Sequence, residues 1–420
     1  MSDVLDKLNQ SNKGIGASVD CVYNNRPNPS CYFQAGTQSV FTVVEDITPD
    51  KKLVQVVLQS KICTTRHIRL KMGLPADCPN HPGCTATMKR SDAIGQEERS
   101  AIRSAMLFEK SNTDLLRVTN DGDDTVIPAY REIFPSCRNF KDIRHLSNCQ
   151  RRHIERQIFS NVMFPGRWVI VRKRKQSRFA EDVRQRCSVE ISLASKMIMK
   201  EQSKKTRDIS EQLIKKLEHT AEAILLCYKG DCSLCEEYSF ACNVKDGKPW
   251  AKYFVPADLK DGMNMTADDE NKLRACLLFR LGPEGLNKIY SLSSTQKNEA
   301  VNRSLGKYNP KLVTFARTWT GRVHACVLNI NEGFKKSSEL LLDAVNHKIS
   351  PDVAEQISRR DQTIKYNAAF KKKPHVKQRR VERRSEWMRL HEKTRDHKAE
   401  PGHSRGIELP LDEPSTSTKK

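Results

Sequence analysis

The sequence predicts an α/β protein in which a mixed sheet is flanked by helices. Two observations predict it. Short strand-like runs, rich in β-branched residues, occur at residues 17–23, 40–44, 53–58, 115–119 and 138–144. Helical patterns at 93–110, 126–134 and 146–159 fall between or after them. The order is therefore three strands, helix, strand, helix, strand, helix, which suits a sheet covered by helices better than a bundle or a sandwich.

Taken in order, residues 1–17 are polar and read as a loose N-terminus. The run from Ala17 to Tyr23 carries a charged residue, Asp20, in its middle, and Asn and Pro residues close it. The runs at 40–44 and 53–58 are joined through Thr48-Pro49-Asp50-Lys51, a hairpin signal. In 93–110, Ile94, Ile102, Met106 and Leu107 fall roughly on one helical face. The fourth strand runs into Asp121-Gly122-Asp123-Asp124, and Pro128 confines the next helix to a first-turn position for that residue. From 172 to 226 the chain is helical and basic, and Leu213, Ile214, Leu217, Ala221, Ile224 and Leu225 form an apolar stripe. Residues 266–281 form a further helix with Asp268, Asp269 and Glu270 in its first turn. Ser293 to Arg303 reads as a capped helix start bearing Glu299, and 323–331 continues the fold.

The chain has 420 residues, 73 Lys plus Arg against 51 Asp plus Glu, and a formal charge of +22. That excess favours a polyanionic partner. No apolar run approaches the ~20 residues that span a bilayer, so a soluble intracellular protein without a membrane partner is expected. Fourteen cysteines in a reducing compartment point to metal rather than disulfides. Cys227, Cys232, Cys235 and Cys242 have the spacing of a four-thiolate zinc knuckle, structural because no coordination position stays open. Cys63, Cys78, His81 and Cys84 could hold a second zinc, with His67 a rival ligand. Arg151, Arg152 and Arg172-Lys173-Arg174-Lys175 form a basic tract able to track phosphates. Residues 371–398 hold twelve Lys or Arg against four Asp or Glu, a nuclear-import or DNA-contact composition.

Read together, these residues resemble the Mutator-like transposases of animal genomes, a DDE-type family. The resemblance rests on Ser18-Val19-Asp20-Cys21-Val22-Tyr23-Asn24, Cys78-Pro79-Asn80-His81-Pro82-Gly83-Cys84-Thr85-Ala86, Thr119-Asn120-Asp121-Gly122-Asp123, Arg144-His145-Leu146, Asn161 to Gly166, Leu226 to Cys235 and Thr295 to Arg303. It implies an RNase H-like core (18–160, first part) and a helical, knuckle-bearing insertion (161–287) before the last catalytic helix. Closing helices with the third carboxylate (288–360) and a basic, largely disordered tail (361–420) follow. It implies a nuclear polynucleotidyl transferase that cleaves and joins DNA using Mg²⁺ or Mn²⁺ held by Asp20, Asp121 and Glu299. Asp123 rivals Asp121, and His145 lies near the site. A homo-oligomer is also allowed. The Cys-x2-His pair of related plant enzymes is absent before His145. The chain is expected to lack an upstream DNA-binding region, so a fragment, a degenerate copy and a domesticated, inactive zinc-stabilised nucleic-acid-binding protein remain alternatives.

Overall fold

The computed structural model describes residues 14–24, 36–48, 51–122, 124–201, 209–242, 250, 262–289, 294–310 and 313–397. The chain divides into two compact units, Met1–Asn331 and Glu332–Lys420.

In the first unit β1 (Ile15–Tyr23), β2 (Gln38–Glu45), β3 (Leu53–Ser60), β4 (Leu115–Asn120) and β5 (Arg138–Lys141) form one sheet in the order β3-β2-β1-β4-β5. β1, β2 and β3 pair antiparallel, as short connections allow, whereas β4 lies parallel to β1 and β5 parallel to β4. The parallel pairings follow because α2 (Glu97–Lys110) and α3 (Val126–Arg131) carry the chain back over the sheet; a short α1 (Arg66–Lys71) precedes them. Strand alternation sorts the side chains. Ile15, Ala17 and Val19 of β1, with Phe41 and Val43 of β2, pack under Ala101, Ala105, Phe108 and Tyr130.

The strand expected at 138–144 ends at Lys141. Asp142 is extended and accepts the N–H of His145, so it N-caps α4 (Ile143–Arg156) and the helix starts three residues earlier than periodicity suggests. A helical assembly follows: α5 (Val169–Glu201), α6 (Ser210–Lys216), α7 (Thr220–Tyr228), α8 (Cys235–Tyr238), α9 (Ala267–Leu281) and α10 (Pro283–Asn287). It has its own core, in which Leu146 and Ile154 of α4 meet Val183, Ile191, Leu213, Ile224 and Leu277. The stripe expected over 210–226 is buried but broken at Leu217, and buried Thr220 gives its hydroxyl to the Tyr238 carbonyl at 2.8 Å across the break. α9 opens on a capping box in which Thr266 and Asp269 satisfy each other.

The chain then returns to the sheet. α11 (Gln296–Tyr308) and α12 (Trp319–Glu332) cover the second face, where Val301, Leu305, Trp319 and Val323 meet Val40, Val44 and Leu53. In the second unit, α13 (Phe334–Asp343) is capped by Asp361 of α14 (Pro351–Lys372), which accepts the N–H groups of Phe334 and Lys335; α15 (Pro374–His397) follows. Residues 361–372 and 374–397 of the basic tail are helical, and 398–420 lie outside the described residues.

Candidate active site and metal centres

Asp20 shares its strand parity with Ser18 and Val22, so it points to the α11 face rather than to the α2 face. Its Oδ1 accepts the N–H of Cys21 at 2.8 Å and its Oδ2 accepts Nδ2 of Asn302, from α11, at 2.9 Å. Burial pushes this carboxyl from the ordinary value of 3.8 up to about 7, and the negative charges of Asp121, Glu97 and Glu299 push in the same direction. Asp121 directly follows β4, the parallel neighbour of β1, at the strand's carboxyl end. Gly122, at φ +130°, makes the turn and donates its N–H to Asn120 Oδ1, an easy conformation for glycine alone. Asp123 lies outside the described residues. Asp124 is solvent-facing and paired with Lys141.

α11 is held to the sheet by an amide. Wholly buried Asn298 donates to the carbonyls of Ser18 and Thr42, each at 3.0 Å, and accepts the Ser18 hydroxyl at 2.6 Å. At 100° per residue, Asn298, Val301, Asn302 and Leu305 share the sheet-facing stripe and Glu299 falls on its flank. The Glu299 carboxylate lies 3.6 Å from Arg144 Nη1 and 3.8 Å from His145 Nε2. Both separations exceed hydrogen-bond length, so these contacts leave its oxygens available. Asn298→Ala removes four buried hydrogen bonds, the fourth from Nδ2 to the Thr42 hydroxyl at 3.3 Å, and is expected to cost about 2–4 kcal/mol, read as a lower midpoint of chemical denaturation.

The helix start expected to be capped by a Ser or Thr has Thr295 at the N-cap with no side-chain cap bond; its N–H and hydroxyl go to Asp142 Oδ2 at 2.7 and 3.2 Å. Asp142, Asn298, Asn302 and Glu97 are the site residues that sequence reasoning missed. The i, i+4 amides beside Glu299 were a usable signal. Glu97 had none, since it opens an ordinary amphipathic helix, yet Tyr23 Oη donates to its Oε1 at 2.5 Å.

Both cysteine clusters assemble. The ligand atoms of Cys63, Cys78, His81 and Cys84 lie within 4.8 Å of one another, as do those of Cys227, Cys232, Cys235 and Cys242. A tetrahedral ion with Zn–S of ~2.3 Å needs sulfurs ~3.8 Å apart. Cys227 Sγ stands 3.9 Å from Cys242 Sγ and 3.6 Å from Cys232 Sγ. His81 Nε2 lies 3.2 and 3.5 Å from the sulfurs of Cys63 and Cys78, while Nδ1 faces the Pro82 carbonyl at 3.1 Å. That outer contact orients the ring with Nε2 toward the cluster. Both sets could hold structural zinc. His67, the rival ligand, stands outside the first set.

The Cys227 cluster rests on α5. Buried Arg186 pairs with buried Glu190 at 2.8 Å and lies over Trp250, 5.1 Å from its ring centroid. Glu190 accepts the N–H groups of Phe240 and Ala241 and the Ser239 hydroxyl, which itself accepts the Cys242 N–H. The expected phosphate-tracking residues fall on two packed helices. Arg151 and Arg152 are on α4, and Arg172, Lys173, Arg174 and Lys175 are on α5. Arg151 is partly spent on Glu155 at 3.3 Å.

The fold and site define an α/β domain with an acidic cluster beside the carboxyl ends of adjacent parallel strands, where open sheets place their ligands. The family model described as Mutator-like transposase matches residues 4–236. With more than half of its residues matched, the chain belongs to that family, whose members cut and join DNA. Asp20, Asp121 and His145 lie inside the match, and Glu299 and Cys242 lie beyond it. A search of the curated proteins found no match. No helix among the described residues is long and apolar enough to cross a membrane.

Proposed function

We propose that the chain is a DDE-type transposase catalytic domain, with Asp20, Asp121 and Glu299 as ligands to Mg²⁺ or Mn²⁺ on an RNase H-like core. One observation carries this reading: the Asp20 carboxyl shares its electrostatic surroundings with Asp121 and Glu299, from three separate elements. The strand order β3-β2-β1-β4-β5 supports the RNase H-like core, which on this reading takes in residues 18–160, with an insertion over 161–287 and closing helices from 288 onward. The oxygen-only donor set fits a hard divalent cation, and its crowded negative charge is what such a cation neutralises. Held by Asp20, Asp121 and Glu299, two such ions would supply activation of a water or 3′-hydroxyl and stabilisation of the leaving oxygen.

The chain's own residues do the positioning. Asn302 fixes one Asp20 oxygen, Asn298 fixes α11 and hence Glu299, and the Arg144 guanidinium and the His145 imidazole stand beside the site as hydrogen-bonding groups for a DNA phosphate. Zinc in the two cysteine-bearing sets braces the flanking loop and the insertion. The basic residues of α4 and α5 follow the strand, and the basic composition of α14 and α15 suits nuclear import. The test is Mg²⁺-dependent nicking and strand transfer on plasmid DNA, with Asp20→Ala as the comparison. Metal-dependent activity only in the unaltered chain is the expected result. DNA binding with no activity in either protein would replace this reading with the inactive, domesticated one.

A further inference from the structure

A cavity of about 400 Å³ opens beside the Cys63 cluster, lined by Lys61, Arg66, His67 and Arg90 together with Ile62 and Leu70, and no acidic residue lines it. Among the described residues Lys61, Arg66, His67 and Arg90 form no ion pair. Among the described residues no carboxylate pairs with the Lys61, Arg66 or Arg90 charge, although salt bridges neutralise basic residues elsewhere, as at Arg117 with Asp46 or Arg274 with Glu222. The groove's basic lining is complementary to an anion. A bare inorganic anion would leave Ile62 and Leu70 against water, whereas a nucleotide offers a phosphate to the cations and a base to the apolar side chains.

Its place in the sheet matters as much as its chemistry. Thr37, at the entry to β2, also lines the cavity, and its carbonyl accepts the Lys61 N–H at 2.8 Å beyond the end of β3. Thr37 in turn gives its N–H to Asn24, just past β1, at 3.1 Å. The cavity thus lies off the carboxyl end of β1, the direction in which the chain runs on from Asp20. The rise from Asp20 to Asn24 is ~13 Å, and one or two strand spacings to the side bring the separation to ~14–17 Å. That is four to five nucleotide steps at ~3.4 Å each.

We propose that this groove seats one nucleotide of the DNA substrate, roughly four to five steps from the bond held at Asp20, with Lys61, Arg66 and Arg90 on the flanking phosphates. The inference rests on the transposase reading. Cys63 belongs both to the groove and to the metal-binding set, so a bound zinc also fixes the groove's wall.

The test is fluorescence anisotropy of the full, zinc-loaded chain with labelled duplex and single-stranded DNA, without Mg²⁺. Lys61→Ala combined with Arg66→Ala is expected to weaken binding about tenfold. It is also expected to flatten the dependence of log affinity on log salt by ~1.4–1.8, from two lost phosphate contacts. One abasic site moved stepwise along the strand is expected to weaken the unaltered chain at one position and the double variant at none. Arg90→Ala, on a separate segment, serves as the second variant if the pair loses zinc. Unchanged affinity and salt slope in both variants, with the unaltered chain binding DNA, would overturn the groove and leave the transposase reading standing. Failure of the unaltered chain to bind any DNA would overturn both.

Discussion

Asp20→Asn is expected to make the metal-free protein more heat-stable at pH 8 and to abolish its stabilisation by Mg²⁺ or Mn²⁺. Any divalent-dependent DNA cleavage is expected to fall by at least about a thousandfold. The amide keeps the shape of the carboxyl, and its NH2 meets the unpartnered Oδ1 of Asn302 once that amide turns over, while a charge that burial and three neighbouring carboxylates oppose is removed. The sign follows from the raised value. The folded chain keeps the Asp20 proton up to about 7, whereas the unfolded chain releases it near 3.8. The group's contribution to stability is thus complete below about 4 and is lost as the pH rises through about 7. The stability gap between variant and unaltered protein is expected to open across that window and to level above it. Thermal melts from pH 4 to pH 8, with and without 5–10 mM metal (roughly, enough to saturate a weak site by mass action), read all of this. A variant that the metal stabilises as much as the unaltered chain would remove Asp20 from the ligand set.

Cys235→Ser is the second large effect. It is expected to lose one zinc per chain, to expose residues 220–242 to proteolysis and to lower the melting temperature by more than about 10 °C, because structural zinc supplies folding energy outright. Four thiolates around Zn²⁺ leave a net charge of −2, and the Arg186 guanidinium, buried beside Cys227 and Cys242, offsets part of it. Glu190→Gln leaves that guanidinium without its buried partner and loosens the 239–242 loop; a loss of about 3–5 kcal/mol is expected. Equal zinc content and melting temperature in Cys235→Ser would show that the four sulfurs hold no ion.

Much of this was legible in the chain. Short runs rich in β-branched residues located all five strands, whereas the way Asp20 points became visible only with Asn298 and Asn302 against β1. Both cysteine sets were readable because ligand spacing is local. What escaped was non-local. Asn298 looks like any amide until Ser18 and Thr42 stand opposite it, and Glu97 joins the acidic cluster only through a helix that crosses the sheet. The fifth strand was read too long because an Asp that caps a helix and an Asp inside a strand are the same letter. Only the bond to His145 N–H distinguishes them.

Asp142 has a consequence for how the molecule is assembled. One buried carboxylate holds the first turn of α4 with Oδ1 and the first residues of α11 with Oδ2, and the Lys141 N–H meets the Lys288 carbonyl at 2.8 Å beside it. The polypeptide therefore leaves the sheet and comes back to it at a single clasp. Everything between is a detour whose two ends are already closed, so its length adds little entropy cost to the fold of the sheet. The clasp also gears His145 to Glu299. Both helix starts hang on the same carboxylate, so the detour can vary in size while Glu299 keeps its place.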